Sequence, residues 1–224
     1  MKISLIMNEN SYAGREYLYN LKREKFKIDV LSIGTFPEDN VIEDTRCGNL
    51  WKPEKQNKLA KFHKFYKFKS LKSKKLLNFL IDKKYDIGIQ GGTGIINKKI
   101  IDRYRLGILN FHPGLLPNYR GCSAPEWQIV EGNKVYSTCH LIDEGIDTGD
   151  IVAIKELKTN NLSYFTFRAS IYIETSKFLI KTINEIKSLN GFKNKPYSQD
   201  KNKARYMNYI GDEKIKIIID SFKY

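Results

Sequence analysis

The stretch that decides the fold is DIGIQGGTGIINKKIIDRYRLGILNF, residues 86–111. It contains a short apolar run over Asp86–Gln90, a glycine-rich turn, a helical pattern around Asn97–Tyr104 and a second apolar run over Leu106–Phe111. Strand, helix and strand at this spacing are typical of parallel strands joined by a helical crossover. We therefore predict an α/β fold, with a Rossmann-like, mostly parallel sheet and helices on both faces.

The same alternation continues on both sides of this stretch. Apolar periodicity predicts further strands and helices, namely strands over Ile3–Met7, Phe26–Ile33, Val135–Ile142 and Ile151–Leu157 and helices over Ala13–Lys25 and Ser163–Leu189. The segment Glu38–Lys52 is expected to be irregular. The polar stretch that follows Leu189 divides the 224 residues into a main domain, 1–189, and a short C-terminal extension, 190–224.

Composition narrows the class of protein. A hydrophobic content of 41% is enough for a large core. No apolar run reaches the length of a membrane helix, and the N-terminus lacks the features of a signal peptide. The three cysteines, Cys47, Cys122 and Cys139, show no CxxC spacing, so neither a disulfide framework nor a cysteine zinc site is expected. We expect a cytoplasmic protein without a membrane partner.

The charge is strongly basic and unevenly distributed. There are 39 Lys and Arg against 25 Asp and Glu, a net charge of +14, and Trp51–Asp86 is rich in lysine but contains no arginine. Lysines interleaved with aromatic residues can bind nucleic acid, whereas a solvated helix with its aromatic residues facing the core has the same pattern. Because specific phosphate recognition favours arginine, we favour a solvated basic helix over Lys52–Lys84. A nucleic-acid-binding module is the remote alternative.

The residues that carry chemistry are in NFHPGLLPNYRG, 110–121. Asn110 and His112 are two apart at the end of a predicted strand, so their side chains share a face. An amide donor beside an imidazole can polarise a carbonyl group while a proton is moved. Alternatively, the loop backbone satisfies the histidine and Asn110 caps the turn. The acidic stretch 143–150, DEGIDTGD, can return a carboxylate to the same edge, and it lacks the spacing of an EF-hand.

NFHPGLLPNYRG followed by DEGIDTGDI resembles the formyl transferase family, which moves a formyl group from N10-formyltetrahydrofolate to an amine. The resemblance covers roughly residues 1–189 and implies that they form a formyltransferase catalytic domain. It implies three catalytic residues: Asn110 as donor to the oxygen that gains negative charge, His112 as proton carrier, and Asp147 as the group that orients His112. No metal is expected, and the turn GGTG lacks the full GxGxxG pattern of a nicotinamide site.

The resemblance also implies a folate pocket after the third predicted strand and before Asp147. The residues expected to bind the co-substrate are Gly94, Ile95, Ile96, Ile142 and Asp143. The family usually has a small, apolar and aromatic run before this segment, and this chain has Gln90–Thr93 in its place.

Three kinds of amine substrate occur in the family, and we favour a nucleotide sugar. The short tail after Leu189 leaves no room for the C-terminal barrel of methionyl-tRNA formyltransferases, and glycinamide ribonucleotide enzymes usually have proline in place of Arg120. We therefore expect a dTDP-linked dideoxy aminosugar, formylated for O-antigen, lipopolysaccharide or other surface glycan. The other two substrates are alternatives, and a homodimer is left open. The residues expected to bind the substrate are Asn10, Arg15, Arg120 and Trp127, the last of which has ordinary core packing as its alternative.

Overall fold

The computed structural model describes residues 1–34, 44–159 and 163–222. Within these ranges, seven strands form one sheet in the order β3-β2-β1-β4-β5-β7-β8. Their bounds are Ile3–Asn8 (β1), Asp29–Ile33 (β2), Lys64–Phe68 (β3), Ile87–Gly91 (β4), Ile108–His112 (β5), Tyr136–Leu141 (β7) and Ile151–Glu156 (β8). Strands β1 to β5 are parallel, and β7 and β8 are antiparallel to their neighbours. The predicted α/β fold with a mostly parallel sheet is confirmed.

Helices cover both faces of this sheet. Their bounds are Tyr12–Arg23 (α1), Gln56–Ala60 (α2), Lys74–Lys83 (α3), Lys98–Ile101 (α4), Ala124–Val130 (α5), Tyr164–Leu189 (α6) and Asp212–Ser221 (α7). On one face α1 and α6 pack against alternate strand residues such as Leu5 and Ile89, and on the other α3 and α4 pack against Ile6 and Leu31. Because side chains alternate between faces along a strand, one apolar run supplies both cores.

Polar caps fix where the two helices of the first face begin. The Ser11 side chain accepts the Gly14 N–H at the start of α1, and Ser163 forms a capping box with Thr166 at the start of α6. Such caps satisfy backbone donors that a helix leaves unpaired in its first turn. The start of α1 is thereby held beside the ends of β1 and β4.

The prediction of one basic helix over Lys52–Lys84 is wrong. The segment forms α2, then the edge strand β3, then α3. Phe65, Tyr66 and Phe68 are aromatic residues, which are frequent in strands, and β3 pairs in parallel with β2. The rings of Tyr66 and Phe68 pack against Phe79 of α3. In the irregular segment Glu38–Lys52, residues 38–43 lie outside the described part of the chain and Thr45–Cys47 form a 3-10 turn.

The predicted C-terminal extension packs against the rest of the described chain. After α6 ends, the chain forms a two-residue strand, Tyr206–Met207 (β9), which pairs with Arg120–Gly121 (β6) in the loop after β5. The last helix, α7, contributes to an apolar cluster with α5 and the start of α6. None of α5, α7, β6 or β9 was predicted, and β6 and β9 have only two residues each. No helix in the described ranges is long and apolar enough to cross a membrane.

Candidate active site

Strand pairing brings the chemical residues together near the carboxyl end of β5. Asn110 and His112 belong to β5, and the antiparallel register places His140 of β7 directly opposite Asn110. The loop after β7 then folds back on its own strand, because the Leu141 N–H donates to the Asp150 carbonyl. A Cβ on Gly149 would overlap the Leu141 carbonyl oxygen, so this return requires glycine. The turn carries Asp147 back to the strand.

The carboxylate of Asp147 is the centre of this group. Its Oδ1 atom accepts a hydrogen bond from Asn110 Nδ2 at 3.2 Å and lies 3.5 Å from His140 Nε2. Its Oδ2 atom accepts the Gly121 N–H at 2.9 Å and lies 3.4 Å from His112 Nδ1. Burial would raise the pKa of Asp147, but the surrounding groups, among them His112 and the Gly121 N–H, outweigh burial and lower it to about 2. Asp147 is therefore ionised at neutral pH.

His112 lies behind Asp147 rather than on the open side of the site. Its side chain is buried, and its Nε2 atom donates to the Tyr119 carbonyl at 2.6 Å. Because Nε2 carries this hydrogen, Nδ1 is the atom that takes up or releases a proton beside Asp147. Burial lowers the pKa of His112 below its usual value, and Asp147 and the Tyr119 carbonyl only partly offset that effect. At neutral pH His112 is thus uncharged and able to accept a proton.

His140 and Asn110 hold each other in place. The Nδ1 atom of His140 donates to the Leu141 carbonyl at 2.9 Å, which leaves Nε2 as acceptor for Asn110 Nδ2 at 3.1 Å. Both hydrogens of the Asn110 amide nitrogen therefore have acceptors, the His140 ring and the Asp147 carboxylate. This pairing fixes which end of the amide faces the site.

A cavity of about 250 Å³ opens beside this group. Asn110, His140 and Asp147 form one wall, and all five residues expected to bind the folate line the rest: Gly94, Ile95, Ile96, Ile142 and Asp143. Gln90 of the unusual Gln90–Thr93 run also lines the cavity and donates to the Gly94 carbonyl at 2.7 Å. Ile95 is 67% exposed and gives the opening an apolar rim. The structure therefore joins the candidate catalytic residues to the candidate folate segment.

The comparison with known families agrees with this geometry. The sequence model described as formyl transferase matches residues 1–164 of this chain. The chain belongs to the formyl transferase family.

Individual relatives of this formyl transferase differ in substrate. A methionyl-tRNA formyltransferase from Clostridium beijerinckii is 33% identical over 116 residues, which are 50% of this chain and 38% of that protein. The crystal structure of glycinamide ribonucleotide transformylase 1 from Symbiobacterium toebii is similar with a TM-score of 0.61 and 17% identity, over 89% of this chain and 93% of that one. An N-formyltransferase from Helicobacter canadensis, in complex with folinic acid and dTDP-3-aminofucose, is similar with a TM-score of 0.58 and 18% identity. The similarity covers 92% of this chain and 70% of that one. The match to the tRNA enzyme thus spans well under half of its length.

Two of the four predicted substrate residues are buried and bound elsewhere. Arg15 is 4% exposed, and its Nε atom donates to the Glu9 carbonyl at 2.7 Å. Arg120 is 7% exposed, and its guanidinium donates twice to Gln199 Oε1, at 2.7 and 3.1 Å. Since both guanidinium groups are held by protein acceptors, the structure gives no support to their expected contact with a pyrophosphate.

The other two predicted substrate residues are more accessible. Trp127 packs with α7 residues in the apolar cluster, and its Nε1 atom donates to the Asn208 carbonyl at 2.9 Å. These contacts fit the core packing that was its alternative role. Asn10 lies half-buried in the turn after β1, where its N–H donates to the Asn8 side chain. None of the four lines the cavity beside Asp147.

Sequence reasoning missed His140. The pairing of β5 with β7 brings His140 opposite Asn110, and this register cannot be read from a single sequence. In the described ranges no group of three His, Cys, Asp or Glu side chains is arranged to hold a metal ion.

Proposed function

We propose that this protein transfers the formyl group of N10-formyltetrahydrofolate to the amine of a dTDP-linked dideoxy aminosugar. The observation that carries the transfer itself is the group of Asn110, His140 and Asp147 at the wall of a cavity that the folate segment lines, with His112 behind Asp147. The reaction forms a bond from the amine nitrogen to the formyl carbon and breaks the bond from that carbon to N10 of the folate. The amine loses a proton and N10 gains one.

Asn110 is the group that stabilises the formyl oxygen as it gains negative charge. Its Nδ2 hydrogens rest on His140 Nε2 at 3.1 Å and on Asp147 Oδ1 at 3.2 Å. A neutral imidazole nitrogen is a weaker acceptor than a carboxylate, so the hydrogen on His140 is the one that turns to the developing oxyanion. Such donors typically contribute about a hundredfold or more to the rate.

Asp147 connects the cavity to His112 for the movement of the proton. Asp147 Oδ1 faces the cavity side with Asn110 and His140, whereas Oδ2 faces His112 Nδ1. A proton lost by the amine reaches His112 through the Asp147 carboxylate or a water molecule that it binds. The resulting imidazolium is stabilised by Asp147 and can return the proton to the folate nitrogen.

The folate segment suits a pterin ring. Within the described ranges, the backbone N–H and C=O groups of Ile95 and Ile96 make no hydrogen bond, and these residues line the cavity. A pterin carries amide-like donors and acceptors on a flat ring, so unpaired backbone groups and apolar walls match both of its chemical features. N10-formyltetrahydrofolate, when bound there, supplies the formyl group.

The choice of an aminosugar rests on the features around α1 and on one relative. The Gly14 N–H at the start of α1 already donates to Ser11 Oγ, and the buried Glu9 lies in the turn before the helix. A terminal phosphate such as that of glycinamide ribonucleotide needs free donors at such a helix start. The relative that was crystallised with dTDP-3-aminofucose shares the fold over 92% of this chain, which supports a dTDP-sugar.

Methionyl-tRNA is the second candidate substrate. The 33% identity to a methionyl-tRNA formyltransferase over half of this chain favours it, and a net charge of +14 suits a polyanion.

The test is a comparison of amines with one formyl donor. Purified protein and N10-formyltetrahydrofolate are incubated with dTDP-3-amino- or dTDP-4-amino-dideoxy sugars, glycinamide ribonucleotide or charged initiator tRNA. Product mass then reports the addition of one formyl group. We expect a dTDP-aminosugar to be formylated and glycinamide ribonucleotide at millimolar concentration to remain unchanged. His112→Ala, the negative control, should be at least about a hundredfold slower. Efficient formylation of the tRNA with inert sugars would replace our proposal by the second candidate.

A further inference from the structure

Gln199, in the C-terminal extension, makes four hydrogen bonds around the loop that carries Asp147. Its Oε1 atom accepts from Arg120 Nε at 3.1 Å and Nη2 at 2.7 Å. Its Nε2 atom donates to the carbonyl oxygens of Asp147 at 2.9 Å and Gly149 at 2.7 Å. The side chain is only 8% exposed, so every hydrogen-bonding position of the amide is filled by these two partners, the guanidinium and the loop.

Asp147 needs such support because of its backbone. Its φ angle is +53°, in the left-handed region that residues other than glycine rarely adopt. Residues in this region persist where the surrounding structure holds them. The two carbonyl groups that Gln199 binds lie at Asp147 itself and two residues later, so the hydrogen bonds span the turn that directs the carboxylate back to β5.

The same extension also holds the partner of the Asp147 side chain. The Arg120 N–H donates to the Arg205 carbonyl at 3.0 Å, and β9 pairs with β6 at Gly121. The Gly121 N–H in turn donates to Asp147 Oδ2 at 2.9 Å. The side chain of Arg120 also lies over the Tyr206 ring of β9, 5.7 Å from its centre. Residues 199–207 therefore hold both the main chain of Asp147 and the segment that binds its carboxylate.

We propose that Gln199 is a positioning residue that, together with Arg120, holds the Asp147 carboxylate between Asn110 and His112. The proposal rests on the proposed formyl transfer, in which Asp147 connects the cavity to His112. It gives Arg120 a role different from substrate binding. It also assigns the extension a part in the chemistry, because its residues touch neither the cavity nor His112 but determine where Asp147 lies.

Two variants of Gln199 separate its two functions. Gln199→Glu keeps the acceptor for Arg120 but replaces the donor nitrogen by an oxygen that would face two carbonyl oxygens. Gln199→Met has similar size and removes donor and acceptor together. We expect kcat to fall about tenfold or more in both variants, with little change in the KM for the folate. Ile210→Ala is the matched control, since Ile210 is a buried apolar residue of the same extension, 5% exposed, without contact to Asp147.

A second measurement does not depend on activity. The chain has three histidines, so NMR can follow the titration of the His112 ring, and the titratable groups beside that ring are Asp147 and His140. If Gln199→Met lets the Asp147 carboxylate move away, His112 loses the charge that favours its protonated form and titrates at a lower pH. Ile210→Ala should lower Tm while kcat and the His112 titration stay as in the unchanged protein.

The outcomes distinguish this proposal from the proposed function. Wild-type kcat and His112 titration in Gln199→Met, or wild-type kcat in Gln199→Glu, would overturn the positioning role. The positioning role would also be overturned if Ile210→Ala lost as much kcat as the Gln199 variants at an equal loss of Tm. Gln199 would then be a structural contact only. An active Asp147→Asn protein would instead contradict the proposed function, while the NMR titration would still show whether Gln199 places Asp147 beside His112.

Discussion

Replacing Asp147 by asparagine removes the charge on which the site converges. The carboxylate receives the Gly121 N–H at 2.9 Å and the Asn110 amide at 3.2 Å, and it faces His112 Nδ1 at 3.4 Å. An asparagine has the same shape but cannot carry a proton to His112 or stabilise the imidazolium. We expect turnover to fall roughly a hundredfold or more, and kcat to fall more than KM changes.

The pKa of Asp147 gives the accompanying change in stability. Folding lowers it from 3.8 to about 2, and a difference of nearly two units corresponds to about 2.5 kcal/mol. Because the pKa is lower in the folded state, this stabilisation is complete above pH 3.8 and is lost as the pH falls towards 2. Asp147→Asn should therefore lower Tm by about 5–10 °C at neutral pH, and the difference from the unchanged protein should narrow below pH 4.

The assay compares Asp147→Asn with Glu144→Gln, which removes a charge from an exposed residue of the same loop. Initial rates with saturating N10-formyltetrahydrofolate and the best amine give kcat, and circular dichroism during heating gives Tm. Glu144→Gln should match the unchanged protein in both measurements. Turnover of Asp147→Asn within about threefold of the unchanged protein would refute the assigned role of the carboxylate. The role would also be refuted if Asp147→Asn, assayed at a lower temperature where it is completely folded, turned over as fast as the unchanged protein.

Three further predictions follow from the neighbours of Asp147. His140→Ala removes the acceptor that fixes the Asn110 amide, so kcat should fall about tenfold while circular dichroism stays unchanged. Gly114→Ala would place a Cβ 2.5 Å from His112 Nε2 and 2.8 Å from the Tyr119 carbonyl, and overpacking of this kind should destabilise by about 1–3 kcal/mol, visible in urea unfolding. Because His112 must be uncharged to accept a proton and burial lowers its pKa, kcat should be constant above pH 6.5 and should fall only at more acidic pH; a loss of kcat centred above pH 7 would contradict this.

Most strands of the sheet could be predicted from the sequence because each buried strand is a short apolar run. Leu5, Ile89 and Leu109 belong to such runs and fill one core. The edge strand β3 was not predicted because two exposed lysines, Lys64 and Lys67, interrupt its aromatic residues. Lysine is common on edge strands, where charge discourages pairing with another chain. These lysines thus obscured the strand pattern of β3.

The sequence predicted the catalytic residues of the candidate site but not the partners that hold them in place. Asn110 and His112 are close in sequence, and Asp147 was expected from the resemblance to the formyl transferase family. The partners that fix them are far away along the chain, since Gln199 lies 79 residues after Arg120 and His140 lies 30 residues after Asn110. A single sequence contains no register or packing information at these separations, so Arg120 was expected to bind substrate although its partner is a glutamine.

The location of the lysines leads to a last prediction, on the kind of substrate. In the sheet order, β3 lies four strands from β5, which at about 4.8 Å per strand places its lysines roughly 20 Å from Asn110. A nucleotide sugar at the cavity cannot touch both regions, whereas a long polyanion can. Lys64→Gln with Lys69→Gln removes two exposed charges of this edge and should leave the KM for a dTDP-aminosugar unchanged. RNA binding should be weak and disappear near physiological salt. A several-fold rise in KM for charged tRNA in this variant, with tRNA formylation that weakens steeply as salt increases, would show that the basic edge belongs to substrate binding and would favour the tRNA over the sugar.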